Sequence, residues 1–445
     1  MGKNATDVMR EAKENKVKFV HLQFTDILGT QKNVAITIDQ LQKALDGEIM
    51  FDGSSIEGFV RIEESDMYLK PDPDTFVIFP FDNKQNEKIA RMICDIYTAD
   101  NQPFAGCPRG ILKKAIAEAD ALGYSMNIGP EIEFFLFLRD EKGKITTITQ
   151  DQGGYFDLSP LDKGEDARKD MVLALEELGF EIEASHHECA PGQHEIDFKY
   201  GPALKQADNI MTFKFVARKV AMMNNLHATF MPKPIFGIAG SGMHMNQSLF
   251  LKGTNTNAFF DENSSNKLSS IALSYMAGLL KHATDMALIT NPLVNSYKRL
   301  VPGYEAPINI AWSERNRSPL IRVPARKGLS TRVELRNPDP SCNPYLAVAA
   351  MLKVGMWGIK EGMEPGQAIV SNIYHMTAEE KSRRNIKSLP KNMGEAIVAF
   401  EKSKIMKEAL GAHCYEHYLE AKKIEWAKYC GQVHEWEREN YLMLY

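Results

Sequence analysis

Carboxylates recur at alternate positions inside apolar runs of this chain, and a fold that accepts charge there must also supply something to pair it. Gly129-Pro130-Glu131-Ile132-Glu133 runs straight into Phe134-Phe135-Leu136-Phe137. Period two puts Glu131 and Glu133 on one face of a strand. Related segments follow: His186-His187-Glu188, His194-Glu195, Gly242-Met243-His244 and Arg332-Val333-Glu334-Leu335-Arg336. A buried carboxylate must be paired, hydrogen-bonded or bound to a metal. Glu131, Glu133, Glu188, Glu195, Glu334 and His244 together suit a hard divalent cation, Mg²⁺ or Mn²⁺. Any single pair reads more simply as a salt-bridged strand face. Five such segments in one region do not, since each buried carboxylate needs its own partner.

The 445 residues are enough for two domains. The first hundred read as a small α+β unit. A helix is predicted near Thr6–Asn15 and another near Asp39–Leu45, with strands at Lys18–Phe24, Asn33–Thr37, Thr75–Pro80 and Arg91–Tyr97. The turn-forming run Ala99-Asp100-Asn101-Gln102-Pro103 predicts a boundary, giving domains 1–102 and 103–445. Beyond it, strands are expected at Glu131–Leu138, Phe180–His187, Glu195–Tyr200, Ala228–Pro232, Met243–Phe250, Ile308–Trp312 and Thr331–Arg336. Helices are expected from Pro108 to Gly123 and at Glu165–Leu178, Ala203–Asn225, Leu268–Leu288, Pro344–Gly358, Met393–Phe400 and Tyr415–Lys428. Ala190-Pro191-Gly192-Gln193 is a ready hairpin turn that would bring Glu188 and Glu195 together. Hairpin links favour an antiparallel or mixed sheet over a doubly wound parallel one.

Arginines cluster near these segments. Arg299, Arg317, Arg322 and Arg336 lie in stretches rich in Pro and Gly, and their forks match carboxylate or phosphate oxygens. Arginines beside divalent cations are what phosphoryl transfer requires. The loop Gly237-Ile238-Ala239-Gly240-Ser241-Gly242 lets backbone approach a ligand, but it is neither a Walker loop nor a dinucleotide fingerprint. No nucleophile signature is present. A net charge of −5 argues against a general nucleic-acid binder. Six scattered cysteines without a C-x-x-C pair fit a reduced, cytoplasmic protein, and no apolar run is long enough to span a bilayer. The opening Met-Gly-Lys-Asn-Ala-Thr fits the myristoylation pattern, which chance also produces often.

Seven of these stretches, in order and at family spacing, resemble the motifs of type I glutamine synthetases. They are Phe51-Asp52-Gly53-Ser54-Ser55-Ile56, the Glu131/Glu133 strand, His186-His187-Glu188, Lys233-Pro234 with Gly240-Ser241-Gly242-Met243-His244, Asn295 to Pro307, Asn316-Arg317-Ser318 and Arg332 to Arg336. The resemblance implies an ATP-dependent ligase joining glutamate and ammonia through γ-glutamyl phosphate. It implies an α+β fold, with a β-grasp-like N-terminal domain and a catalytic domain of curved antiparallel sheet backed by helices. Glu133, Glu188 and Glu195 would hold one metal, and Glu131, His244 and Glu334 a second. Glu131, Gly240, Arg299, Glu305, Arg317 and Arg336 would serve the glutamate site. Glu183, Phe198, Lys199, Tyr200, Asn246, Ser248, Arg317 and Arg322 would line the nucleotide. Asp52 of a neighbouring subunit would bind ammonium and take its proton, and Glu305 would shield the intermediate.

The stretch Phe59 to Asp66 resembles the Gram-positive branch, which glutamine inhibits, with Arg61 carrying that sensitivity. Tyr374 aligns with the site adenylylated in the other branch, but His375-Met376-Thr377 departs from its acidic pattern, so Tyr374 is read as unmodified. Ala239 stands where the family has asparagine in the glutamate loop, and Ile132 where it has proline. Family members are twelve-subunit double rings, and members of this branch contact nitrogen-regulatory transcription factors.

Overall fold

The computed structural model describes residues 2–56, 58, 66–81, 87–303, 306–314, 316 and 318–445. The chain opens with helix α1 (Ala5–Glu14). The Asn4 side chain accepts from Asp7 N, and the Asp7 carboxylate returns the bond to Asn4 N. Strands β1 (Val17–Thr25) and β2 (Gln31–Thr37), helix α2 (Leu41–Leu45), and strands β3 (Ile49–Asp52), β4 (Asp66–Ile78) and β5 (Lys88–Thr98) follow. They form one sheet in the order β2-β1-β5-β4-β3, with β1 and β5 parallel and the other pairs antiparallel. The strand predicted at Thr75–Pro80 is only the end of β4. Lys70-Pro71-Asp72-Pro73-Asp74 has the composition of a turn, yet the structure carries it inside the strand, with a register shift between Asp72 and Val77. Prolines are tolerated in strands at such irregularities. The edge strand β3 has no counterpart among the predicted elements.

The rest of the chain runs α3 (Pro108–Ala121), β6 (Tyr124–Arg139), β7 (Ile145–Thr149), α4 (Glu165–Glu177), β8 (Ile182–His187), β9 (Gln193–Phe198), β10 (Gly201–Pro202) and α5 (Ala203–Met223). Then come β11 (Leu226–Thr229), β12 (Met243–Leu251), α6 (Ser270–Lys281), α7 (Ala283–Thr290), α8 (Ser296–Arg299), β13 (Asn309–Ser313), β14 (Pro319–Arg322) and β15 (Val333–Leu335). The C-terminal part holds α9 (Pro344–Lys360), α10 (Ala378–Arg383), β16 (Lys387–Ser388), α11 (Met393–Glu401), α12 (Lys404–Leu410), α13 (Ala412–Cys430) and α14 (Glu435–Tyr441). The single helix expected over Leu268–Leu288 is two, α6 and α7, meeting at His282, whose φ of −105° departs from helix.

The second sheet runs β16-β13-β14-β15-β12-β6-β9-β8, and β6 also pairs β7, β10 and β11. Its pairs are antiparallel except β13–β14, which is parallel, so the sheet is mixed. β6 lies at its centre and divides its side chains cleanly. Ile132, Phe134 and Leu136 face the main core, where the Phe134 ring meets Phe213 of α5 edge-on at 6.0 Å. Glu131 and Glu133 face the other way, and the same face continues as Phe135 and Phe137, which pack with Ala190, Ile235, Ile238 and Ala239. Ala239 thus contributes to a small apolar cluster.

A buried ionic hub ties the first sheet to helices α3, α5 and α9. Arg109 of α3 donates Nε and an NH2 group to the two Asp208 oxygens at 3.0 and 2.9 Å, and also reaches Asp95 at 3.0 Å and Asp72 at 2.7 Å. Tyr345 of α9 donates its hydroxyl to Asp208 at 2.7 Å. Nearby, Arg91 of β5 donates to Thr212 of α5 at 2.8 Å.

Candidate metal and nucleotide site

Strand register builds the site in three rows. The first aligns Asp197 on β9, Glu131 on β6 and His244 on β12. The second aligns His186 on β8, Glu195 on β9 and Glu133 on β6. The third aligns Gly129, Asn246, Glu334 and Arg322 across β6, β12, β15 and β14. Period-two alternation sends every acidic side chain of these rows to one face.

Glu131, His244 and Glu334 offer ligand atoms within 4.8 Å of one another. His244 Nδ1 lies 3.1 Å from Glu131 Oε2 and 3.9 Å from Glu334 Oε1, and its Nε2 lies 3.9 Å from Glu133 Oε1. Asn246 donates to Glu131 at 2.9 Å. Arg322 and Arg336 hold Glu334 at 2.7 and 2.9 Å. Glu133 accepts from Gln193 at 2.8 Å and from Gly242 N at 2.9 Å. Gly242 leaves room there, since a Cβ would lie 2.5 Å from an Arg299 nitrogen and 3.1 Å from His244 Nε2 and would displace one of them.

The other predicted trio, Glu133, Glu188 and Glu195, is not gathered as tightly. Glu195 instead groups with His186 and Asp197 within 4.8 Å. His186 bridges Glu188 and Glu195 at 3.6 and 3.4 Å. Electrostatically the trio is still one unit. Burial, then the charge of Glu133, pushes Glu188 up to about 7. Burial and the charges of Glu133, Glu131 and Glu188 push Glu195 up as well. Asp197 is raised to about 9 by burial and Glu195, and its Oδ1 is buried without a hydrogen-bond partner. Glu131 is the exception. Burial would raise it, but the His244 and Asn246 hydrogen bonds and the charges of His244 and Arg336 hold it near 2. Carboxylates that cannot all ionise together are the donor set that a divalent cation satisfies.

Beside the cluster lies a cleft of about 350 Å³. Glu131, Glu183, Phe198, Tyr200, Asn246 and Ser248 line it, all of them named from sequence. Lys199 and Arg322 do not. Lys199 pairs outward with Glu181 at 2.6 Å, and Arg322 is engaged by Glu334. Arg299 is buried and spends its donors on the carbonyls of Asn337 and Arg336, at 2.8 and 3.3 Å. Arg336 keeps a buried Nε without a partner. Gly240 accepts from Gln193 through its carbonyl at 3.2 Å. Asp52 sits on β3, exposed, with Ser54 N and Oγ on its carboxylate at 2.8 and 2.6 Å, and those bonds lower its pKa. Among the described residues it makes no hydrogen bond or ion pair with the second sheet. Arg61, Glu305 and Arg317 lie outside the described residues.

Sequence reasoning missed Asp197, although it stands two residues from Glu195 and therefore on the same face. It also left Arg332 and Arg326 out of the site. Arg332 donates to Asn246 at 2.8 Å, and both arginines line the cleft.

Comparison with known proteins accounts for nearly the whole chain. A family model described as the glutamine synthetase catalytic domain matches residues 105–441, and one for the glutamine synthetase beta-Grasp domain matches residues 16–99. The glutamine synthetase of Clostridium saccharobutylicum is 60% identical over 439 residues, covering 99% of this chain and 98% of that one. That of Thermus thermophilus is 56% identical over 448 residues and covers 100% of both. Among solved structures, a GmaS/ADP complex is 29% identical with a TM-score of 0.89, over 98% of this chain and 100% of that one. A Plasmodium falciparum glutamine synthetase is 25% identical with a TM-score of 0.87, over 99% of each chain.

Proposed function

The chain belongs to the glutamine synthetase family and is a glutamate–ammonia ligase, and from that premise we propose how its residues divide the work. Glu131, His244 and Glu334 hold one divalent cation, and Glu133, Glu188 and Glu195 the other. When bound, Mg²⁺ or Mn²⁺ would neutralise the phosphate oxygens of ATP as charge moves onto the leaving group. The observation that carries this reading is the three-row register, which sets an acid cluster against a cleft of ligand size. The cleft takes the nucleotide, with Asn246 and Ser248 as polar contacts and Phe198 and Tyr200 as aromatic ones.

Glutamate lies on the Gly240 side, its charge met by Arg299, Arg317 and Arg336. Its γ-carboxylate oxygen attacks the γ-phosphorus, the bond to the β-phosphate oxygen breaks, and ADP leaves. Ammonia then attacks the acyl carbon and phosphate departs. The acyl phosphate would hydrolyse in water, which is the reason for a shield at Glu305. Ammonium has no lone pair, so a carboxylate must first take its proton. Asp52 suits that task if it comes from a neighbouring subunit, because it stands exposed on an edge strand. We read the assembly as a dodecamer; a contact between subunits, though not their number, is supported by the apolar tail, where Leu442 is 76% and Met443 95% exposed. Residues 1–102 and 103–445 are the two domains of each subunit, and the enzyme works in the cytoplasm. Among the described residues no helix is long and apolar enough to cross a membrane.

An acceptor screen tests the reaction. Ammonium is expected to support turnover far better than methylamine, and a preference for the larger amine would overturn the assignment. Asp52→Ala is expected to lose ammonium-dependent glutamine synthesis by about 10²-fold or more, and to lose much less of the glutamate-dependent phosphate release. Equal losses would remove its role as proton acceptor. Arg61→Ala is expected to keep synthesis and blunt inhibition by glutamine, and an unchanged inhibition curve would dismiss that role.

A further inference from the structure

The two glutamates assigned as ligands on the β8–β9 hairpin, Glu188 and Glu195, each follow a histidine that points to the opposite side. His187 precedes Glu188 and His194 precedes Glu195, and the two imidazoles face each other across the register with ring centres 4.9 Å apart. Both are fully buried. His187 Nδ1 lies 2.7 Å from the carbonyl oxygen of Glu188 itself, and its Nε2 lies 3.1 Å from Asp151. Asp151 also accepts from Gly192 N, in the hairpin turn, at 3.0 Å and from Lys163 N at 3.1 Å. His194 Nδ1 lies 2.9 Å from an Arg168 nitrogen, and the same nitrogen donates to Asp162 at 2.8 Å. Gln150 meets His194 Nε2 at 2.9 Å.

Asp151, Asp162, His187 and His194 come within 4.8 Å of one another and by residue type would suit a cation. The Arg168 guanidinium already supplies one. The group therefore pairs its own charges, with Arg168 Nε and Gln150 Oε1 left buried without a partner, and its outputs are the backbone of Glu188, the hairpin turn and the strand position before Glu195.

We propose that this network sets the position of Glu188 and Glu195 for cation binding, so that Asp151, Asp162, Arg168, His187 and His194 are positioning residues. The inference rests on the assignment of those two glutamates as ligands. Partners behind a metal's direct ligands fix ligand orientation and are worth about 10- to 100-fold in affinity or activity.

Two glycines provide the test. A Cβ on Gly164 would lie 2.5 Å from the His194 ring, and one on Gly153 would lie 2.9 Å from His187 Nε2. Neither glycine has positive φ, so alanine suits the backbone; the atoms nearest a Gly153 Cβ all belong to the His187 ring, while a Gly164 Cβ also meets Gln150 Nε2 at 2.7 Å, itself a partner of His194. Gly164→Ala, Gly153→Ala and Asp162→Asn would be made in the full-length enzyme. Mn²⁺ binding to the chelator-stripped protein would be followed by calorimetry, alongside the Mg²⁺ activation constant, kcat, the KM for glutamate and the thermal midpoint. The expected result is Mn²⁺ binding about 10- to 100-fold weaker, with an activation constant raised in step. Turnover should return at saturating metal, with the KM for glutamate unchanged. Wild-type Mn²⁺ binding in the glycine variants, or a parallel decline of midpoint, kcat and every KM, would overturn the proposal. Glu195→Gln separates the two levels. If that variant loses Mn²⁺ while the glycine variants do not, only the positioning network fails. If it binds Mn²⁺ normally, the ligand assignment fails and the network's role falls with it.

Discussion

Glu133→Ala is expected to abolish metal-dependent glutamine synthesis, with kcat falling at least about 10³-fold, the equivalent of roughly 4 kcal/mol of transition-state stabilisation. Glu133 stands between the two halves of the site. It faces Glu195 across the β6–β9 ladder, comes within 3.9 Å of His244, and takes hydrogen bonds from Gln193 and Gly242 N. The same charge also raises the pKa of Glu188 and Glu195. Removing it relieves repulsion in the metal-free protein, so the variant should be folded and no less heat-stable without metal, while being inactive with it. Steady-state glutamine formation at saturating Mg²⁺ and Mn²⁺, with a melting curve of the metal-free protein, separates activity from folding. Full activity in the variant would remove Glu133 from the site.

Arg109→Ala is expected to have the largest effect on stability, about 3–5 kcal/mol. Its guanidinium is buried, and the substitution would leave Asp208, Asp95 and Asp72 without it. Burial alone would lower the Arg109 pKa; the Asp208 charge and hydrogen bonds overcome that and raise it. Arg109→Lys would restore the charge but not the fork to Asp208, and should recover only part of the loss. Thermal and denaturant unfolding at fixed protein concentration measure this. Lys407, which pairs with Glu416 on the surface, is the control, and its alanine variant should leave the midpoint in place. An Arg109→Ala variant as stable as the parent would show that the hub does not hold the first sheet to the helices beside it.

The legible parts of the sequence were those where periodicity and chemistry agreed. The β6 carboxylates announced themselves because period two inside an aromatic run leaves them a single shared face, and the Pro191-Gly192 turn announced the hairpin between Glu188 and Glu195. Helix α9 was readable from its near-continuous apolar run and the proline at its first turn. The misses have physical reasons. β4 hides its prolines in an irregular stretch, and β14 is four residues long and is placed by its neighbours β13 and β15 rather than by its own pattern. Asp197 was passed over because its neighbours read as a nucleotide segment, although its parity with Glu195 placed it on the cluster face. Arg109 and Asp208 stand 99 residues apart, and no local pattern joins two such positions. The brace behind the hairpin was hidden in the same way, since Asp151 meets His187, and Arg168 meets His194, only through the fold.

Phosphate and glutamine followed together, from ATP and glutamate with Mg²⁺ as ammonium is added, report the ligase reaction itself. Glutamine is expected to appear in equal measure with phosphate, both depending on ammonium. Phosphate released without glutamine at saturating ammonium, or no turnover at all from the assembled enzyme, would contradict the ligase assignment.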